Sequence, residues 1–290
     1  MVKVSRWESM TWTGSGAGRH NEDHACGSLE AGCAVLVDGA TGLTNTQVVR
    51  EGSDAAWYAR NLAEGVLARF ASGCEGERDL RQALAEAGRD VAERYLQMAG
   101  ARGLKRIDLP NGSFSQLAVV GERLYVVMLG DCTAMVLLRD GTVRVIHDAT
   151  LDALDARNYE LMYAYAMEHG VGMAQARQDL NDAFIQNRLL MNEPGGYWAA
   201  DIGCGGFGHE TVEAFWLAQV RAAMVCSDGF AAAVQMGVVA SEEELARRVL
   251  GGEGEAVGEE LREAELADAG CLLHHRSKTS DDATYALMSF

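Results

Sequence analysis

The feature that most constrains this chain is a short apolar run that ends abruptly in an aspartate. Residues 34–37 read Ala-Val-Leu-Val, and Asp38 follows them directly, with glycines at 39 and 42. An apolar run of this length, bounded by glycines, predicts a buried strand. Asp38 is therefore expected at the end of a strand, where a turn begins.

The same pairing of an apolar run with an aspartate recurs elsewhere in the chain. Each aspartate taken singly is typical of a turn or a helix cap. Their recurrence raises the hypothesis that several strand ends meet and bring their carboxylates together. The further examples are Asp131 after the run at 124–129, Asp228 after the run at 222–226, and Asp281 before the run at 284–288.

Composition limits the classes of function. The 290 residues carry a formal net charge of −17, from 25 basic and 42 acidic residues. This balance disfavours nucleic acids and anionic membranes as partners. It is typical of a soluble surface, or of carboxylates that bind cations. No apolar stretch approaches the ~18 residues that span a bilayer, and the N-terminus lacks a signal-peptide core, so a cytoplasmic protein is expected.

The cysteines indicate neither disulfides nor a zinc site. Their number is 7, which is odd, and no two of them have Cys-x-x-Cys spacing. Buried structural thiols are the favoured interpretation.

The periodicity of the chain predicts an α+β fold, with two stacked antiparallel β-sheets flanked by helices in a single domain over 1–290. Apolar residues at spacings of three and four predict helices, and apolar runs broken by turn dipeptides predict strands. The predicted elements are an edge strand at 7–13, a helix pair at 55–70 and 80–98, an antiparallel meander at 114–146, helices at 151–191, strands at 211–217 and 221–226, helices from 241 to 268, and a closing strand at 284–288.

Convergence of Asp38, Asp228 and Asp281 would have a chemical consequence. Carboxylates held together repel one another and raise one another's pKa, and bound divalent cations relieve the repulsion. Oxygen-only ligands suit Mg²⁺ or Mn²⁺ better than zinc. Two such ions that share a carboxylate form the arrangement used for phosphoryl hydrolysis.

The motifs that contain these aspartates resemble, in order and along nearly the full length, those of the metal-dependent serine/threonine protein phosphatases of type 2C. The resemblance is to a divergent, bacterial-like member of that family. The matching segments are Asn21-Glu22-Asp23, Val37-Asp38-Gly39-Ala40-Thr41-Gly42, Leu129-Gly130-Asp131-Cys132, Cys226-Ser227-Asp228-Gly229 and Ser280-Asp281-Asp282-Ala283-Thr284.

The resemblance implies an α-β-β-α sandwich, two ions of Mg²⁺ or Mn²⁺ or three in some members, and hydrolysis of phosphoserine and phosphothreonine in proteins. A cognate serine/threonine kinase or its targets would be the partners. It also implies a variable helical flap at about 151–200 that contributes to substrate choice. The resemblance implies that Asp38 bridges two ions with the Gly39 carbonyl as a further ligand, and that Asp228 and Asp281 complete the first site. It implies that Asp131 joins Asp228 at a third ion. Glu22 and Asp23 would hold waters of the ions or lie close to them, and Arg19 would bind the phosphate.

The chain departs from the family pattern in its N-terminal and first metal motifs. The phosphate-binding arginine of the family commonly lies five residues before the aspartate of the acidic motif. Here Arg19 lies four residues before Asp23, and Gly18 takes the fifth place. Some members have histidine after the first Asp-Gly, where this chain has Ala40.

Two further substitutions fall beside metal-binding aspartates. Cys132 replaces the usual serine, and Asp282 replaces the usual asparagine. Both are compatible with metal binding, because the ligand is the preceding aspartate in each case. The segment from 147 to 201 matches poorly, so no substrate contacts are assigned there.

Three functions follow, the first of which is favoured. The first is a metal-dependent protein phosphatase in which activated water attacks the phosphate directly. The second is a non-catalytic or weakly active regulatory module on the same fold, motivated by the shifted Arg19 and by Ala40. The third, an unrelated Mg²⁺- or Ca²⁺-binding structural protein, is disfavoured because the chain has no spaced calcium loop.

Overall fold

The structure is a computed structural model that describes residues 3–16, 19–44, 46–274, 276 and 278–290. Gly18 lies outside the described residues. The strands are β1 Arg6–Trp12, β2 Asp23–Ser28, β3 Cys33–Ala40, β4 Asn111–Val120, β5 Arg123–Leu129, β6 Thr133–Leu138, β7 Val143–Ile146, β8 Ala200–Asp201, β9 Thr211–Trp216, β10 Val220–Cys226 and β11 Ala283–Ser289. The α-helices are α1 Asp54–Ala71, α2 Glu77–Ala99, α3 Ala149–His169, α4 Met173–Asp179, α5 Asn181–Leu189, α6 Asp228–Ala231, α7 Glu242–Arg248 and α8 Gly254–Ala267.

The strands form two antiparallel sheets. The first sheet has the order β1-β11-β10-β6-β7, and the second has the order β2-β3-β4-β5-β9 with β8 paired to β4. Helices α1 and α2 cover the second sheet, and α7 and α8 cover the first. The predicted α+β class, with two stacked antiparallel sheets flanked by helices, is confirmed.

The apolar run of β3 is unbroken because both of its faces are covered. Val35 and Val37 pack with the residues of α1 and α2, whereas Ala34 and Leu36 pack between the two sheets. A strand buried on both faces needs no alternating polar residue. Burial of each such valine or leucine side chain contributes about 1.5–3 kcal/mol.

The helix pair follows the predicted amphipathic pattern. Helix α1 begins after Ser53, whose hydroxyl accepts a hydrogen bond from the Ala56 N–H at 3.0 Å. Leu62 of α1 and Leu84 of α2 are fully buried in the same core. The side-chain cap and the apolar stripe together fix where α1 starts and which face it buries.

The prediction that residues 114–146 form one antiparallel meander is wrong, because their strands belong to two sheets. Strands β4 and β5 belong to the second sheet, whereas β6 and β7 belong to the first. The chain crosses between the sheets at residues 130–132, just where Asp131 stands. Because β4, β5 and β6 are all largely buried, their apolar content gives no sign of which sheet each one joins.

Strand β2 was not expected from the sequence, because its composition is weak for a strand. It contains Asp, Ala, Gly and Ser, which are poor strand formers. Gly27 is required there, since a Cβ at this position would lie 1.7 Å from the indole Nε1 of Trp7. Packing against the ring therefore overrides local propensity.

The flap region is helical, as predicted, and is divided at residues 170–172 into α3 and α4. It has a small core of its own, which includes Met162, Met173 and Ala176. The single domain over 1–290 and the flap bounds of 151–200 stay predictions. Within the described ranges, no helix combines the length and apolar character needed to cross a membrane.

Candidate active site

The predicted strand ends meet at one pocket of about 500 Å³, which Asp38, Asp131, Asp228 and Asp281 all line. Asp38 lies near the end of β3, Asp131 follows β5, Asp228 follows β10, and Asp281 precedes β11. Both sheets therefore deliver carboxylates to the same end of the sandwich. Glu22, Gly39 and Arg19 also line the pocket.

Strand register places three polar residues in a row. Asp38 of β3 lies opposite Asp23 of β2 on one side and opposite Ser113 of β4 on the other. The Ser113 hydroxyl donates to the Asp131 carboxylate and accepts from the Asp131 N–H at 3.0 Å. Ser113 thereby fixes Asp131 beside Asp38, a role that the sequence did not indicate.

Two glycines of the predicted motifs are explained by close backbone approach. A Cβ at Gly229 would lie 2.0 Å from the Asp282 carbonyl oxygen. A Cβ at Gly39 would lie 2.6 Å from the Glu22 carbonyl oxygen. Neither position has room for a larger residue, so the backbones that carry Asp228 and Asp281 can lie next to each other.

Three of the aspartates have raised pKa values. Burial is the largest cause for Asp38, whose pKa lies well above its usual range, and the charges of Asp23 and Asp228 add to it. Burial likewise raises the pKa of Asp23 to about 7. Burial first, and neighbouring carboxylates second, therefore disfavour the ionised forms of Asp38 and Asp23.

Asp228 combines a raised pKa with an exposed side chain. Water reaches it through the mouth of the pocket. Protein on the other sides removes much of its solvent, and the charge of Asp131 adds to this, so its pKa rises to about 7.

Asp281 differs because cations hold it. Lys278 Nζ lies 2.5 Å from Asp281 Oδ2, and Arg19 Nη2 lies 2.8 Å from Asp281 Oδ1. Although burial alone would raise the pKa of Asp281, Lys278 and then Arg19 outweigh it and lower this pKa. Lys278 was not assigned a role from the sequence.

Asp282 organises the loops at this end of the molecule. Its carboxylate is almost fully buried and accepts from the Gly14 N–H at 2.7 Å, the Glu22 N–H at 2.9 Å and Arg19 Nη2 at 3.2 Å. The asparagine-to-aspartate change is therefore matched by a positive charge. Two of the departures from the family pattern, Arg19 and Asp282, could have been linked from the sequence by their opposite charges.

Arg262 supports Asp281 from behind. Its Nη2 donates to the Asp281 carbonyl oxygen at 2.7 Å and to the Trp12 carbonyl oxygen at 2.9 Å, while Nη1 pairs with Glu265 at 2.6 Å. Helix α8 is thus tied to the segment that carries Asp281. Nothing in the local sequence distinguishes Arg262 from other helical arginines.

The donor chemistry of the pocket fits divalent cations. Every predicted ligand offers oxygen, which Mg²⁺ and Mn²⁺ prefer. Asp23 Oδ2 is buried and has no hydrogen-bond partner among the described residues. Within those residues, no three His, Cys, Asp or Glu side chains surround a single point as ligands of one ion do. A magnesium-like site tolerates this, because one or two carboxylates and several waters suffice.

No protein-family model and no curated protein sequence matches the chain. Solved structures do match it across nearly its whole length. PppA, a key regulatory component of the type VI secretion system (T6SS) in Pseudomonas aeruginosa, is 18% identical with a TM-score of 0.55, and the match covers 99% of each chain.

Two serine/threonine phosphatases match equally well. The catalytic domain of PstP, solved with two manganese ions, is 18% identical with a TM-score of 0.54, over 98% of this chain and 97% of PstP. Stp1 from Staphylococcus aureus is 15% identical with a TM-score of 0.54, over 100% of this chain and 97% of Stp1. These matches confirm the predicted resemblance at the level of the fold.

Proposed function

We propose that this chain is a divergent, bacterial-like member of the type 2C phosphatases and hydrolyses phosphomonoesters, with phosphoserine and phosphothreonine in proteins as substrates. The observation that carries the proposal is the meeting of aspartates from both sheets at one pocket. The fold shared with PstP and Stp1 supports it.

The proposed ions are Mg²⁺ or Mn²⁺, two or three in number. Asp38 and the Gly39 carbonyl would hold both ions of a pair, Asp228 and Asp281 would complete the first site, and Asp131 would join Asp228 at a third. When bound, such ions lower the pKa of a water and hold phosphate oxygens. Glu22 and Asp23 are proposed to orient water beside them.

Ion pairs and hydrogen bonds within the chain hold the carboxylates of the pocket in place. Arg19 and Lys278 keep the Asp281 carboxylate ionised and fixed. The Thr41 hydroxyl donates to Glu22, which holds that carboxylate at the pocket wall. Arg19 lines the pocket, and those of its N–H groups that do not donate to Asp281 or Asp282 are proposed to contact the phosphate.

Hydrolysis of p-nitrophenyl phosphate and of a phosphothreonine peptide tests the proposal. We expect turnover with Mn²⁺, loss of turnover with excess chelator, and loss in Asp38→Asn with the fold retained. Ser9→Ala, in the edge strand β1 and outside the pocket, is the matched control. Metal-independent activity, or full activity in Asp38→Asn, would contradict the two-ion assignment.

A regulatory module on the same fold is the second candidate. Ala40 stands where some relatives have histidine, and cations already pair with Asp281. PppA, with the same fold, is described as a regulatory component. Calorimetric titration with Mn²⁺ separates the two, because a module without catalysis is expected to bind no metal.

Phosphorylated proteins, and a cognate serine/threonine kinase or its targets, are the proposed partners. A signalling role in the cytoplasm is proposed with them. The net charge of −17 supports the expectation that neither nucleic acid nor an anionic membrane is a partner.

A further inference from the structure

The flap helices give the pocket a basic wall. Helices α4 and α5 contribute Arg177 and Arg188 to the lining, together with Phe184. The Asn187 side-chain amide donates to the Asn158 oxygen at 2.6 Å and ties α5 to α3. Carboxylates and two guanidinium groups of the flap therefore line the same pocket.

Both arginines line the pocket, and the charge of Arg188 acts on Arg177. Arg188 Nη1 is buried and has no hydrogen-bond partner among the described residues. The guanidinium of Arg177 lies 3.6 Å from the centre of the Phe184 ring, which holds it in place. Burial, and then the charge of Arg188, lower the pKa of Arg177.

Such a pair is costly without an anion. A buried donor that lacks an acceptor loses its hydration without compensation, and two like charges repel. The rest of the protein is strongly acidic, with 42 acidic against 25 basic residues. Within the part of the chain that the structure describes, neither arginine forms an ion pair with these acidic residues. A phosphate or carboxylate would supply charge-assisted hydrogen bonds to both guanidinium groups.

This basic wall is separate from the cations at the aspartates. Arg19 and Lys278 pair directly with Asp281, whereas the two flap arginines lie on α4 and α5. Helix α4 packs chiefly on α3, and α5 packs on the turn at 106–108 and on α4. An anion bound to the flap arginines would therefore use cations other than those that pair with Asp281. A pocket of about 500 Å³ is in the range that holds groups larger than one phosphate.

We propose that Arg177 and Arg188 form a second anion subsite, which selects phosphopeptides that carry another phosphate or a carboxylate near the phosphorylated residue. The inference rests on the proposed function, because it assigns the scissile phosphate to the aspartate side. It specifies the substrate class of that same pocket.

Peptides of matched sequence test the subsite. One series has a single phosphothreonine with alanine flanks, a second adds another phosphothreonine two, three or four residues away, and a third places glutamate at those positions. Dissociation constants are measured by fluorescence anisotropy with Mn²⁺ present. A phosphonate replaces the scissile phosphate in every peptide, so binding is read without turnover.

The wild-type chain is expected to bind at least one doubly anionic peptide about tenfold more tightly than the singly phosphorylated one. Arg188→Gln and Arg177→Gln should each remove this preference, and Arg188→Lys should retain part of it. Arg157→Gln is the matched control, because Arg157 is exposed on the same flap and does not line the pocket. Circular dichroism and thermal melting verify that each variant folds.

Equal affinity of the wild-type chain for all peptides overturns the subsite. An equal loss for all peptides in Arg188→Gln also overturns it, because that result assigns the arginine to the first phosphate or to the fold. The glutamate arm distinguishes a carboxylate from a second phosphate as the preferred anion. Failure of the proposed function has a different signature: no Mn²⁺-dependent turnover of p-nitrophenyl phosphate, with an arginine-dependent binding preference that persists.

Discussion

The guanidinium of Arg19 lies 3.2 Å from the buried carboxylate of Asp282, and the same Nη2 lies 2.8 Å from Asp281. Arg19 therefore joins the N-terminal loop to the segment that begins β11. Asp282 is 3% exposed, so its charge needs a partner. Arg19 and Asp282, which both depart from the family pattern, therefore form an ion pair with each other.

Arg19→Gln is expected to lower the free energy of unfolding by about 1–3 kcal/mol, because it leaves the Asp282 carboxylate with only backbone N–H donors. Asp282→Asn should cost less in the Arg19→Gln background than in the wild type, since the amide carries no charge. Urea unfolding of the four proteins gives the coupling energy.

Arg248→Gln provides the matched control for this cycle. Arg248 pairs with Glu253 and Glu260, which belong to neither Arg19 pair. Its effect and that of Asp282→Asn should add to within about 0.5 kcal/mol. Additivity in the Arg19 cycle as well would mean that the Arg19–Asp282 pair does not stabilise the loop.

Asp38→Asn is expected to act in opposite directions on stability with and without metal. In chelator the variant should be more stable than the wild type, because it removes a charge that burial and the neighbouring aspartates disfavour. A gain of about 1 kcal/mol would raise Tm by roughly 2 °C in a protein of this size.

Addition of Mn²⁺ should reverse this order. Metal that binds only the folded state raises stability with its concentration, so the wild type should gain more than Asp38→Asn. Differential scanning calorimetry over a Mn²⁺ series measures both effects. An equal metal-dependent shift in the two proteins would remove Asp38 from the proposed ligands.

Sequence reasoning could locate the strand-end aspartates but not all their neighbours. Asp38 and Asp228 follow apolar runs bounded by glycines, and this pattern depends only on local structure. The crossing between sheets at Asp131 depends on which strands pair. Strands that are buried on both faces have similarly apolar sequences, so the sequence does not show their partners. Prediction of the basic wall would require the orientation of α4 and α5 relative to the pocket, and helical periodicity does not give that orientation.

Gly229→Ala is expected to destabilise the fold and to disturb the site together. Its Cβ would lie 2.0 Å from the Asp282 carbonyl oxygen and 3.1 Å from the Asp281 Cβ, so the backbones must separate. Such overpacking costs about 1–3 kcal/mol. Gly251→Ala is the control, because a Cβ there meets nothing within 4 Å. The free energy of unfolding in urea and the rate of Mn²⁺-dependent hydrolysis should both fall in Gly229→Ala and stay unchanged in Gly251→Ala.

Asp268 is expected to make stability depend on acid pH. Its carboxylate accepts from the N–H groups of Leu272 at 2.9 Å and His274 at 3.0 Å, and from Arg276 Nη1 at 2.7 Å. Burial alone would raise the pKa of Asp268, but these donors outweigh it and lower this pKa well below its usual range. The bonds close the loop that leads toward Lys278 and Asp281.

A carboxyl whose pKa is lower in the folded state adds stability above its unfolded pKa of about 3.9 and loses it as the pH falls below that value. The wild type should therefore exceed Asp268→Asn by on the order of 2 kcal/mol at pH 7. The gap should narrow steadily from about pH 4 downward. Urea titrations between pH 3 and 7 measure it, with Glu263→Gln, exposed on α8, as the control that should show no gap. A gap that stays constant over this range would mean that ionisation of Asp268 does not cause the difference in stability, and no gap at pH 7 would mean that the amide accepts these hydrogen bonds equally well.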